Sequence, residues 1–372
     1  MGHIFDFEGF GVMHTFEKYY ICSYPQLPLE SIDHLVLDTM VLSDIYDFAN
    51  GKDGEGYITS GFLDLIRNTS LHVNTAVVER NWQHQIDTTA QISDYVKPKA
   101  NLMAEGLELL HFIKFSSNND FAKFKNGTLS LSDIPKEFEY RNKESLAFGF
   151  NLEEFISMIA QNWLGIALLL KHEVDAPSRL TEPGASDRDL VSKQIDAYKS
   201  WQRDVRGFGI GISLELRLLS NLAFFGGYMP GLHGNKVTFD VFAKKDEWAT
   251  TKKSRIARNI AFDFQQLSIA RQSRMGFFNN SVTVPRKFAA VLTRDKVLAA
   301  TVGFVAQEAL AHGVGIHAPY KWPIDSDFLK IYEERFAFAG FYGPSRASQD
   351  LIESIDIVPA LERVLMDLDA DK

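Results

Sequence analysis

Four acids stand where a carboxylate could do chemistry: Asp38, Glu79, Asp263 and Asp295. Asp38 closes the apolar run His34-Leu35-Val36-Leu37, and Asp295 follows Ala289-Ala290-Val291-Leu292-Thr293. Short apolar runs of this kind read as buried strands. The carboxyl end of a strand is where open α/β sheets place their ligands. Carboxylates brought together there repel, so they share a proton or hold a cation. Glu79 is expected one turn into a helix after a short strand over 71–75. Asp263 is expected mid-helix, on an element whose Ile256, Ile260, Phe264 and Leu267 are spaced as one apolar face. Acids from several elements suit Mg²⁺ or Mn²⁺, which prefer carboxylate oxygens and retain water. Such ions can acidify a water and stabilise the leaving oxygen of a phosphodiester.

Cations gather around the last two acids. Lys252, Lys253, Arg255 and Arg258 lead into Asp263, Arg271 and Arg274 follow it, and Arg286, Lys287, Arg294 and Lys296 surround Asp295. Arg255 and Asn259 share a helix face with Asp263. Arg255, Arg258, Asn259 and Arg294 are therefore the candidates for seating a phosphate backbone. Each residue also has an ordinary reading. Asp38 could cap a helix, Glu79 could be a surface acid beside Arg80, Asp263 a solvated helix position and Asp295 a turn residue. Lys252 and Lys253 could form a solvated face. The order and spacing of the four acids together favour a metal site over those separate readings.

Other chemistries find little support. No Gly-x-Ser-x-Gly elbow is present. His312 and His317 are five apart across a glycine-rich turn, which is poor spacing for a helical metal pair. The run Gly207-Phe208-Gly209-Ile210-Gly211 lacks a preceding strand and reads as a helix break rather than a dinucleotide loop. A single cysteine, Cys22, excludes an intramolecular disulfide and points to a reducing compartment; it is expected to be an inert buried residue. Met1-Gly2-His3-Ile4-Phe5-Asp6 lacks a basic region followed by an apolar stretch, so no signal peptide is expected. The longest apolar stretch, 163–170, is too short to span a bilayer. A cytoplasmic, membrane-free protein is the expectation. Net charge is −9, so nucleic-acid binding would have to rest on local cation clusters. The 29 Phe imply aromatic-rich cores.

The elements that must position the acids alternate at both ends of the 372-residue chain. A strand over 35–37 leads to a helix over 40–49, ended by a glycine-rich loop, and a second helix over 58–67. Long helices are expected over 101–115, 152–172 and 190–220. A helix capped by Thr250 or Thr251 runs past 267, followed by a strand over 289–293, a helix over 297–311 and a last strand over 314–316. Two tail helices, 348–355 and 359–368, are separated by Pro359. The first thirty residues read as mixed, with Pro25 and Pro28 marking an irregular link. This pattern implies a parallel α/β sheet interrupted by a helical segment.

The chain resembles the PIN-domain nucleases. That family opens with a strand ending in Asp followed by Thr or Asn, matched by Val36-Leu37-Asp38-Thr39-Met40-Val41-Leu42. A Glu on the helix after the second strand is matched in Val73-Asn74-Thr75-Ala76-Val77-Val78-Glu79. Asp263 and Val291-Leu292-Thr293-Arg294-Asp295 match the family's helix Asp and its strand ending in Thr-x-Asp, and Gly313-Val314-Gly315-Ile316 resembles its last strand. The resemblance implies that Asp38, Glu79, Asp263 and Asp295 bind Mg²⁺ or Mn²⁺ and that the activity is metal-dependent cleavage of nucleic acid, RNA above DNA. It covers residues 31–92 and 250–319. Where many relatives carry another acid past the Thr-x-Asp, this chain has Lys296 and Val297.

The expected architecture is α/β: a parallel-sheet, PIN-like three-layer domain with its first half at 31–92 and its second at 250–320. A mostly α-helical insertion occupies 93–249, and 321–372 form a helical tail. The insertion is a place for a protein partner or inhibitor. A scaffold that binds a protein or nucleic acid without cutting is the alternative. A phosphotransferase using Asp38 as a covalent nucleophile would want a second Asp two residues on, where Met40 stands.

Overall fold

The computed structural model describes residues 4–6, 12–23, 29–52, 56–72, 76, 79, 109–129, 133, 152–175, 187–211, 213–225, 229–230, 235–275, 289–302 and 357–370. The chain forms two compact units. The first comprises residues 1–88, 93–155 and 265–307, and the second 89–92, 156–264 and 308–372.

The first unit is built on a mixed six-stranded sheet in the order β1-β2-β3-β8-β4-β5. Its strands are β1 (Ile4–Asp6), β2 (Val12–Phe16), β3 (Tyr19–Ser23), β4 (His34–Leu37), β5 (Ser70–His72) and β8 (Ala289–Thr293). Every residue of β4 and β8 is buried, which is why both read as unbroken apolar runs. β4 pairs in parallel with β5 and β8, with Leu37 opposite Leu292.

The wholly parallel sheet expected from the sequence is corrected here. β8 turns its other edge to β3 in antiparallel register, Cys22 opposite Val291, and β1, β2 and β3 form an antiparallel meander. The first thirty residues, read only as mixed, contribute these three strands, and the irregular link expected at Pro25 and Pro28 lies outside the described residues. The β2–β3 turn is Glu17-Lys18, without Gly, Asn or Pro. Glu17 nevertheless adopts the left-handed backbone, φ 57°, so the usual turn chemistry gave no signal. Cys22 is buried and its thiol is pushed up by burial.

Helix α1 (Thr39–Ala49) leaves the end of β4, and α2 (Ser60–Asn68) leads back to β5. Gly51, φ 67°, ends α1 in a left-handed cap: its N–H reaches Phe48 O at 3.0 Å and Lys52 N reaches Asp47 O at 2.7 Å. Thr59 caps α2 by accepting from Phe62 N at 3.1 Å and donates to Glu17 at the hairpin tip. Residues 109–115 are helical and precede α3 (Asn118–Lys125), capped by Ser117. Leu109, Phe112, Ile113, Phe121 and Phe124 join Val41, Ile45, Phe62, Ile66 and the sheet in one core.

Two cations lock α2 to the helix at 109–115 by exchanging C-terminal caps. Lys114 Nζ donates to Ile66 O, Arg67 O and Thr69 O at 3.3, 2.6 and 2.5 Å. Arg67 returns the contact, reaching Ile113 O at 2.9 Å and Ser116 O at 2.7 Å. Each helix therefore ends on the other's positive charge, the sign that its dipole favours. Burial, then repulsion from Arg67, brings Lys114 down to about 8, so it stays charged at neutral pH.

The second unit is helical apart from a short hairpin of β6 (Met229–Pro230) and β7 (Lys236–Val237). Its helices are α4 (Leu152–Asp175, from Ile156), α5 (Asp187–Gly207), α6 (Leu214–Phe225), α7 (Lys253–Met275, as far as Phe264) and α8 (Ile357–Ala370). The expected break after α5 is a left-handed cap at Gly209, φ 69°, with Ile210 N on Val205 O at 3.1 Å. Trp201 is fully buried and donates through Nε1 to Gly165 O at 3.1 Å. A Cβ on Gly165 would meet Leu216 Cδ2 at 2.6 Å, so a larger residue there would require the Leu216 side chain to shift. Asp369 caps α7 by accepting from Ser254 N at 3.1 Å. No helix among the described residues is long and apolar enough to cross a membrane. The strand expected over 314–316, the tail helix over 348–355 and the end of the helix over 297–311 lie outside the described residues.

Replacing Lys114 by Met keeps the apolar stem and removes all three cap bonds. Lys114→Met should cost about 1–3 kcal/mol, read as a lower midpoint in urea unfolding. A midpoint equal to the parent's would show that the cap exchange contributes nothing.

Candidate metal centre

The parallel register of β4 and β8 brings their ends level. Asp38 N donates to Leu292 O at 3.1 Å, so Asp38 and Thr293 emerge side by side. Asp38 is 4% exposed and Thr293 fully buried. Thr293 Oγ1 donates to Asp38 Oδ2 at 2.5 Å and accepts from Asp295 N at 2.9 Å. Gln266 on α7 donates from Nε2 to Asp38 Oδ1 at 3.3 Å. Each carboxylate oxygen of Asp38 thus has a named donor.

Asp38 occupies the N-cap position of α1 but makes no side-chain capping bond, so the capping reading of this residue is not realised. The Met40 N–H still helps the carboxylate without meeting capping geometry. Burial is the largest influence and raises the Asp38 carboxyl above its ordinary range. Thr293 and Gln266 pull it down, and the nearby Asp295 charge pushes it up. The residue that does begin its helix with a cap is Asp295. Its Oδ1 accepts from Val297 N at 2.6 Å and Leu298 N at 3.0 Å, at the start of the helical residues 296–302.

Glu79 is also buried, helical, and accepts a hydrogen bond from Thr39, the residue after Asp38. Asp38, Glu79 and Asp295 are therefore linked in the first unit through two threonine hydroxyls and one backbone N–H. Asp263 lies in the second unit, partly exposed between the buried rings of Phe262 and Phe264 and three residues before Gln266 in α7. Among the described residues no group of three or more His, Cys, Asp or Glu side chains is arranged to hold a metal ion.

The candidate cations divide. Arg255 is exposed. Arg258 is buried and donates to Asn259 Oδ1 at 3.2 Å. Arg294 is taken up by the protein: its Nε lies 3.1 Å from Asp44 Oδ2, and its guanidinium sits 4.3 Å from the centre of the Tyr57 ring. Asp44 also accepts from the Tyr19 hydroxyl at 2.9 Å. Arg294 thereby ties the loop after β8 to α1 and β3.

The sequence reading missed Gln266. Its signal was available in helical spacing: a polar residue one turn past Asp263, fully buried between Phe264 and Leu267, is the unusual observation on an apolar face. Thr293 lay inside the Thr-x-Asp motif without a stated role.

A carboxyl raised by burial makes the native state take up its proton before the unfolded chain does. Stability from this group is complete below the unfolded value of 3.8 and is lost as pH rises through the folded value. Asp38→Asn removes that cost and keeps the shape, and the Gln266 amide can turn to face the new one. The variant should melt about 2–4 °C above the parent at pH 7, with the gap closing toward pH 4 in thermal scans. A variant melting below the parent at pH 7 would mean that Asp38 stabilises the fold as an anion.

No protein-family model, curated protein or solved structure matches this chain.

Proposed function

We propose that the protein is a metal-dependent nuclease of PIN-like, three-layer build that hydrolyses phosphodiester bonds in RNA. The observation that carries this reading is Asp38: a carboxylate buried at the end of a central parallel strand, with a donor on each oxygen and a second Asp near enough to raise its pKa. A buried acid with shifted titration in this topological position fits a working group.

Asp38, Glu79 and Asp295 in the first unit would hold Mg²⁺ or Mn²⁺, and Asp263 is the fourth acid of the sequence pattern. The donor set fits such an ion, because all of these ligands are hard carboxylate oxygens. When bound, the ion supplies an acidified water and charge neutralisation at the leaving oxygen. The chain's own residues orient the acids. Thr293 and Gln266 fix the two oxygens of Asp38, Thr39 holds Glu79, and Arg294 sets the loop that carries Asp295. Within the second unit, Arg255 is the exposed cation among the phosphate-binding candidates of α7.

A second reading draws on the Asp295 carboxylate, whose Oδ1 is engaged by two helix N–H groups. An acid occupied in this way suits a scaffold that binds a protein or nucleic acid without cutting, with the helical unit as its partner surface.

The purified protein should cleave single-stranded RNA with Mn²⁺ and stop when a chelator is added. Asp38→Asn should lose about two orders of magnitude or more in rate. Asp295→Asn should lose activity while keeping stability within about 0.5 kcal/mol, since Asn caps a helix as Asp does. Parent-like cleavage by Asp38→Asn would end the nuclease assignment. Absence of Mn²⁺ binding up to millimolar concentration in calorimetry would leave the scaffold.

A further inference from the structure

Gln266 is fully buried, donates to Asp38 Oδ1 through Nε2, and has no hydrogen-bond partner for Oε1 among the described residues. An amide carries both donors and an acceptor, and here the orientation is set by its neighbour. Asp38 already receives the Thr293 hydroxyl on Oδ2, and its remaining oxygen wants a donor. Turning the amide over would set two acceptors face to face. The carbonyl oxygen is thus left bare beside the acid, in an interior where an unmet acceptor is costly and rare.

The missing neighbour must present a hydrogen to Oε1 while its centre is attractive to carboxylates. Ionised Asp38 and Asp295 have no such hydrogen to offer. A hydrated divalent cation does: its oxygens are drawn by the acids, and its polarised waters are strong donors. We propose that Gln266 clamps a hydrated divalent cation at Asp38 from the outer sphere, its Nε2 fixing the carboxylate and its Oε1 accepting from a cation-bound water. This rests on the metal-site reading given above. Met or Leu would fill the same volume without a bare acceptor, and Glu would add a charge. A neutral amide at this position holds the water shell and leaves the ion's charge to the acids. That arrangement suits Mg²⁺ or Mn²⁺, which keep several waters, over Ca²⁺, which takes many direct oxygen ligands. Gln266 is accordingly a positioning residue.

The test is an electron paramagnetic resonance titration of the full chain with Mn²⁺, for the parent, Gln266→Met and Gln266→Glu, with circular dichroism to check folding. Gln266→Met should weaken Mn²⁺ binding about tenfold or more. Gln266→Glu should bind at least as tightly as the parent, because its carboxylate supplies the acceptor and a charge. Equal affinity in the parent and a folded Gln266→Met overturns the clamp while leaving the metal site standing, and would mean that ordinary water serves Oε1. If Gln266→Met does not fold, Gln266→Glu decides: binding weaker than the parent's overturns the proposal. A parent that binds no Mn²⁺ up to millimolar concentration overturns both the clamp and the metal reading.

Discussion

The parallel pairing of β4 with β8 is the constraint on which the rest of the first unit depends. With Leu37 opposite Leu292, the strands end together and release Asp38 and Thr293 at one level. Side chains alternate along a strand, so a slip of one residue would send the apolar set of β4 to the opposite face. Register is therefore held by packing: Leu35, Val36, Leu37, Val291 and Leu292 are buried, and such side chains contribute about 1.5–3 kcal/mol each. β3 closes the other edge of β8, so neither strand at the seam has a free edge along which to shift. The burial of Asp38 is a cost that this packing offsets.

Around the seam, charge fixes what packing leaves adjustable. Arg294, Asp44 and Tyr19 join the loop after β8 to α1 and β3, three elements distant in sequence. Farther out, the cap exchange of Lys114 and Arg67 ties α2 to the helix at 109–115. The same rule operates in both places. A cation is satisfied by acceptors from another element, and each such bond removes a direction in which helices could slide. The second unit relies on close packing instead, with Gly165 against Leu216 and Trp201 bonded to the Gly165 carbonyl.

The seam was legible in the sequence because burial on both faces leaves a compositional mark. Residues 34–37 and 289–293 are short apolar runs stopped by polar residues, and the helices beside them carry regular apolar spacing. The meander β1–β3 was not legible. Its strands mix aromatic and polar residues, and its turn is made by Glu17 and Lys18, which are not turn formers. Glu17, left-handed at this turn, is bonded at its carboxylate by the Thr59 hydroxyl from elsewhere in the chain. Asp295 was read as a candidate ligand or a turn residue, and its bonds to Val297 and Leu298 depend on the helix that follows. Gln266 escaped because a pair of buried amides, Gln265 and Gln266, within an apolar helix stretch has no motif. Its meaning appears only when the acid that it touches, 228 positions away, is placed beside it.

The start of α1 shows how the site departs from what stability alone would select. Three other helix starts in the first unit use a side chain in the ordinary way: Thr59 for α2, Ser117 for α3 and Asp295 for the helix at 296–302. At α1 the N-cap residue is Asp38, of a type that caps well, and its side chain makes no capping bond. Asp38 turns to Thr293 and Gln266, and Thr39 turns to Glu79. A cap of this kind contributes about 1 kcal/mol, so the chain forgoes that stabilisation and buries a carboxylate as well. Both departures fall at one place, the end of β4, where a carboxylate is buried beside side-chain donors rather than used as a cap. Among the described residues of the first unit, Thr59, Ser117 and Asp295 cap their helices, and the end of β4 is where the capping residue is turned to other partners.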